Sequence, residues 1–132
     1  MKRLISWLLG LHGAYYALTG LWALIDLDGF NRFVGHPHPG GAFEMHSIAA
    51  MAVALGIVFI LAARNVDKNL LVVLCAGLVA LSVVTIELVY LPSMGWNLFW
   101  LDLVEEIVVT IVFLWYPLSH LKDLKHQVGL TR

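Results

Sequence analysis

Residues Asn97 to Tyr116 read NLFWLDLVEEIVVTIVFLWY. The stretch has the length, about 20 residues, that an α-helix needs to cross a hydrocarbon core about 30 Å thick. It nevertheless carries Asp102, Glu105 and Glu106 near its start. Ionisable groups inside hydrocarbon are costly enough that they pair, bind something or hold a proton, so a functional site is the default expectation for them. Offsets of three and four residues put the three acids on one helical face. Three ionised carboxylates there would repel strongly at low dielectric. The segment therefore requires a cation, a histidinium or a shared proton.

The rest of the chain sets the same solvent. Hydrophobic residues make up 61% of the 132 residues and charged residues 13%, whereas soluble domains are roughly 25% charged. Four apolar stretches of spanning length can be laid out: Leu4 to Ile25, Ala42 to Ala63, Asn69 to Leu91 and Leu98 to Leu118. They predict an all-α, integral membrane four-helix bundle in a single domain, with an outer loop over residues 26–41 and no separate soluble domain. Lys2, Arg3, Arg64, Lys68, Lys122, Lys125 and Arg132 fall on one side of this layout, and only Arg32 falls on the other. By the positive-inside rule both termini are cytoplasmic, in a multi-pass protein of the plasma (inner) membrane. Trp96 and Trp100 fall where an interfacial aromatic belt would place them. A formal net charge of −1, with basic residues scattered over three segments, supplies no footprint for nucleic acid.

The N-terminal run after Lys2 and Arg3 extends too far for a signal peptide and lacks a clean small-x-small cleavage site before Asp26, so it reads as a retained helix. The single cysteine, Cys75, excludes an intrachain disulfide and a CxxC motif and reads as a small packing residue. Gly10 and Ala14, Gly13 and Ala17, Ala52 and Gly56, and Ala76 and Ala80 sit four apart, the spacing that lets membrane helices approach backbone to backbone.

On the first span, His12, Tyr16, Thr19, Ala23 and Asp26 follow at steps of four, three, four and three, which makes one polar stripe. Lipid cannot satisfy such groups, so the stripe should face the interior or a hydrated cavity. The first span runs outward and the fourth inward. At about 1.5 Å per residue, Tyr16 and Thr19 then share a layer with Glu105 and Glu106. Glu87, near the outer end of the third span, and His46, near the start of the second, join that layer. Tyr16, His46, Glu87 and Glu106 are expected to face inward in the outer half of the membrane. Glu44 and Asp102 lie near helix N-termini, where the dipole favours carboxylates, and serve equally well as solvated helix ends.

Candidate ligand- or proton-binding residues are therefore Tyr16, Thr19, His46, Glu87, Asp102, Glu105 and Glu106. A divalent metal could be held by His46, Glu87 and Glu106, or in the outer loop by His36 and His38 with Asp26 and Asp28. There is no HExxH and no paired ExxH, and Gly35-His36-Pro37-His38-Pro39-Gly40-Gly41 reads first as a turn-rich connection.

Leu9-Gly10-Leu11-His12-Gly13 through Thr19-Gly20-Leu21, the outer loop, and a second span that opens with Phe43-Glu44 and carries Gly56 together resemble the small four-helix membrane proteins called DoxX-like. That resemblance covers architecture over nearly the whole chain and implies an association with membrane redox systems. No catalytic residue transfers from it, and the acidic fourth span matches no motif of the group. Sterol-isomerase-like bundles, with buried acids facing an apolar cavity, are a fainter analogy, and fold analogy alone does not establish function. Two functional classes remain. One is an embedded site for a proton, a metal ion or an amphipathic molecule such as a quinone or lipid. The other is an accessory subunit of a larger membrane complex or a homo-oligomer, without activity of its own. The sequence names no substrate and does not decide whether the chain is an enzyme.

Overall fold

Between Arg3 and Asp26, from Ala42 to Ala63, and from Leu70 to Met94, the chain has only apolar, small and a few uncharged polar residues, save Glu44, Glu87 and the histidines. With little else to satisfy backbone groups, such runs become long helices. The computed structural model describes residues 1–34, 41–94 and 99–129, with 34, 90–94, 99 and 101 described by backbone alone. It is all-helical, with no strand among the described residues. Its elements are α1 (Lys2–Ile25), α2 (Leu27–Val34), α3 (Ala42–Ala63), a 3-10 turn (Val66–Asn69), α4 (Leu70–Met94), α5 (Phe99–Ser119) and α6 (Leu121–Gln127). The four long helices match the expected spans to within three residues at every end.

Two segments differ from expectation. The segment expected as the outer loop begins with the eight-residue helix α2. The Asp26 carboxylate starts it by accepting the Gly29 N–H at 2.8 Å, and Trp22 packs on Phe30 and Phe33 with ring centroids 5.9 and 5.0 Å apart. The polar tail forms α6, turned 81° from α5.

α1, α3 and α4 are each long and apolar enough to cross a membrane. The acids of α5 admit it as a fourth span only when it is taken together with α6 across that bend. The distribution of side chains suits a multi-pass membrane protein. Trp7, Leu11, Leu18, Met51, Ile86, Val89, Ile111 and Trp115 point outward, while His12, Glu87, Glu106 and Thr110 are buried.

Helices pair most extensively as α1 with α3 and α4 with α5. Small residues make the first pairing possible. A β-carbon on Gly13 would lie 2.7 Å from the Gly56 carbonyl oxygen, and one on Gly20 would lie 2.6 Å from that of Ala49. The Gly13–Ala17 and Gly56 motifs are therefore the contact itself. In the second pairing Gly77, which no expected small-residue pair included, lies against the backbone of Phe113 and Leu114. Ala76 and Ala80, fully buried, join Ile5, Leu9, Phe59, Val73, Val109, Phe113 and Tyr116 in one apolar core.

At the end where α1 begins, Asp67 of the 3-10 turn ties four segments together. It accepts from Lys2 and from the Tyr116 hydroxyl at 2.7 Å, while the Gln127 amide donates to its backbone carbonyl at 2.6 Å. Lys2, and after it Tyr116, hold the Asp67 carboxyl below the usual aspartate range.

Candidate functional site

α1 and α5 touch mainly through long side chains, and those side chains are the polar ones. His12 Nδ1 lies 3.3 Å from Glu105 Oε1. The Tyr15 hydroxyl donates to Asp102 Oδ1 at 2.8 Å and the Tyr16 hydroxyl to Glu106 Oε1 at 3.2 Å. Because the helices are antiparallel, moving from His12 to Tyr15 on one matches moving from Glu105 to Asp102 on the other. The polar stripe of α1 and the acidic face of α5 therefore form one continuous seam.

His12 is the pivot of this seam and is only 1% exposed. Its ring stacks on Phe59 at 5.9 Å, meets Phe113 edge-on at 5.8 Å and lies 4.7 Å from the Tyr16 ring. Packing on three sides fixes the imidazole orientation without a backbone hydrogen bond. Glu106 is equally buried at 1%, and Glu87 of α4 is 9% exposed with its carboxyl facing Asp102.

The seam is polar but not saturated. His12 Nε2, Glu87 Oε2, Glu105 Oε2, Glu106 Oε2 and Thr110 Oγ1 are all buried without a hydrogen-bond partner among the described residues. Leaving a buried polar atom unpaired costs about 1–3 kcal/mol, more for a charged group, and three of the five belong to His12, Glu105 and Glu106, which lie together. One donor atom from each of His12, Glu105 and Glu106 lies within 4.8 Å of the others. A groove of about 470 Å³, walled by Leu8, Leu11, His12, Tyr15, Asp102 and Glu105, opens beside them.

The sequence-derived candidates divide as follows. Tyr16, Asp102, Glu105 and Glu106 come together, and Glu87 adjoins them through Asp102. Thr19 bonds back to the Tyr15 carbonyl of its own helix at 2.7 Å. His46 is half-buried and lies outside the His12, Glu105 and Glu106 group. Glu44 accepts the Gly41 N–H at 3.2 Å at the start of α3, as a helix-end carboxylate does. Asp26 serves α2. The loop histidines His36 and His38 lie outside the described residues, as does Trp96. The histidine that enters the site is His12. Its signal was its place on the α1 stripe, one turn below Tyr16, as the only imidazole on that face.

Compared with known proteins, the chain matches no family model, no curated protein and no solved structure.

Proposed function

We propose that this chain is a membrane-embedded binding protein: a four-helix bundle of α1, α3, α4 and α5 with both termini cytoplasmic, whose buried seam between α1 and α5 binds a small ligand. The occupant brings positive charge or hydrogen-bond donors, as a proton, a metal ion or the polar head of an amphipathic molecule does. The observation that carries this reading is the set of unpartnered buried atoms on His12, Glu105 and Glu106. A subunit that serves only to pack against a partner has no use for a buried imidazole and a buried acid, His12 and Glu106, beside a further acid, Glu105, at the edge of a groove. The groove supports the same reading, because its Leu8 and Leu11 wall suits an apolar body while Tyr15, Asp102 and Glu105 receive a polar end. The basic residues gathered on one side and the DoxX-like arrangement of spans, which supplies architecture alone, support the placement in the membrane.

Native mass spectrometry and elemental analysis of gently solubilised protein test the proposal. An occupant that is retained by the native chain and lost in His12→Gln and Glu106→Gln is expected. Protein without any occupant, co-purifying in fixed stoichiometry with a larger membrane complex, would overturn it in favour of an accessory subunit.

A further inference from the structure

The donor set in the seam is more specific than a general polar layer. His12 supplies an imidazole, and Glu105 and Glu106 supply carboxylates, on two helices facing each other. An ion pair with a protonated imidazole accounts for one nitrogen and one oxygen, His12 Nδ1 and Glu105 Oε1. It leaves the second nitrogen, the second Glu105 oxygen and Glu106 Oε2 unanswered. The four long helices contain no lysine or arginine beyond Lys2 and Arg3 at the start of α1. A permanent positive side chain therefore cannot supply the missing charge within the spans.

We propose that His12, Glu105 and Glu106 hold a divalent transition-metal ion of the zinc or manganese type, an inference that rests on the embedded-site reading above and names its occupant. One nitrogen and two oxygens are the donors that such ions accept. Tetrahedral coordination at about 2.0–2.2 Å places ligand atoms about 3.4 Å apart. One donor atom from each of the three residues already lies within 4.8 Å of the others, so the site needs a contraction of about 1.4 Å at most to reach that spacing.

The surrounding groups are arranged as a metal's outer partners are. Tyr16 donates to Oε1 of Glu106 and leaves Oε2 free to ligate, which orients the carboxylate in the manner typical of ligand-supporting hydrogen bonds. Phe59 and Phe113 hold the imidazole plane. The Glu105 side chain is 43% exposed and borders the groove, which gives the ion an entry path and leaves a fourth coordination position for water or a ligand from the groove. Three protein ligands with one open position are the pattern of a reactive metal centre rather than a purely structural one.

The test uses full-length protein in mild detergent, purified through a tag without histidine, stripped with a chelator and titrated with Co²⁺, then Zn²⁺. The expected result is one Co²⁺ per chain with visible ligand-field bands that Zn²⁺ bleaches. Those bands should be lost in His12→Gln, Glu105→Gln and Glu106→Gln and kept in His46→Gln. Tyr16→Phe should weaken binding by about 10–100-fold, the usual effect of losing a ligand-orienting partner. The partly exposed Glu105→Gln keeps the test decisive should a variant of the more buried His12 or Glu106 fail to fold. Co²⁺ binding that survives both His12→Gln and Glu105→Gln overturns the proposal. If the native chain binds no metal but retains an organic molecule that the same variants lose, the metal is overturned and the embedded site stands. If it holds neither, the metal is overturned, and so is every occupant of the embedded site except a proton.

Discussion

Gly56→Ala should loosen the α1–α3 pairing, and the structure says by how much. A β-carbon at residue 56 would stand 2.6 Å from the Ala17 nitrogen and 2.9 Å from the Ala17 β-carbon, and would also overlap the Gly13 carbonyl oxygen. Carbon atoms at rest sit about 3.5–4.0 Å apart, so the two helices must separate by about 1 Å to admit one methyl group. Every obstacle is backbone or the first carbon of a side chain, so no rotamer change relieves it. Overpacking of this kind costs about 1–3 kcal/mol. Gly10→Ala is the matched control, because its β-carbon meets only the Ala63 β-carbon at 3.6 Å, an ordinary contact. Denaturant titration in detergent micelles, followed by tryptophan fluorescence and circular dichroism, should show a clear loss for Gly56→Ala and a change below about 0.5 kcal/mol for Gly10→Ala. Equal stability of the two variants would refute the backbone-to-backbone packing. The effect should also reach the site. Gly13 follows His12 directly, and a displacement of about 1 Å is several times the roughly 0.2 Å tolerance of metal–ligand distances, so Co²⁺ binding should weaken in Gly56→Ala and hold in Gly10→Ala.

Further outcomes follow from other parts of the fold. In a Cys75→Ala background, Asp28→Cys and Asp123→Cys should label from opposite sides of the membrane; labelling from one side would defeat the proposed topology. Asp67→Asn removes the charge and one of the two carboxylate oxygens that accept from Lys2 and Tyr116 and should cost only about 0.2–1 kcal/mol, the range of exposed ion pairs. Because Lys2 and Tyr116 depress the Asp67 carboxyl in the folded state, its contribution is fully present above the ordinary aspartate value of about 3.9. It is lost as pH falls through the lower folded value, so the difference between native and Asp67→Asn protein should shrink in strong acid and stay constant from mildly acidic to neutral pH. Thr19→Ala should leave Co²⁺ affinity unchanged in the same titration, since among the described residues its hydroxyl bonds only within α1.

The sequence alone revealed the four long helices because apolar length is nearly the whole signal for a helix of this kind, and the boundaries of α1, α3, α4 and α5 followed from it. Small-residue spacing located Gly13, Ala17 and Gly56 for the same reason: only residues without bulk allow two backbones so close. It could not show Gly77, a lone glycine whose role depends on where Phe113 and Leu114 of a different helix arrive. The helix α2 escaped because its stability comes from the Asp26 cap and from Trp22 stacking on Phe30 and Phe33, contacts between segments that periodicity in a single window does not register.

The exchange of His12 for His46 has a geometric cause. Tyr16 does reach Glu106, but placing Thr19 level with the same acids assumes that helices begin and end at common planes. His12 lies 13 residues from the C-terminal end of α1, about 20 Å, whereas Glu105 lies six residues from the N-terminal end of α5, about 9 Å. The two nevertheless touch, so α1 extends roughly 10 Å beyond α5 at that end. This offset brings the histidine of the stripe, and not Thr19, against the acids. His46, about 6 Å from the N-terminal end of α3, is not part of the trio. The acids on α5 reveal from sequence that a partner is needed. Which residue answers them is decided by the register between helices, and that register is set by glycine contacts and by tyrosines long enough to bridge the gap between α1 and α5.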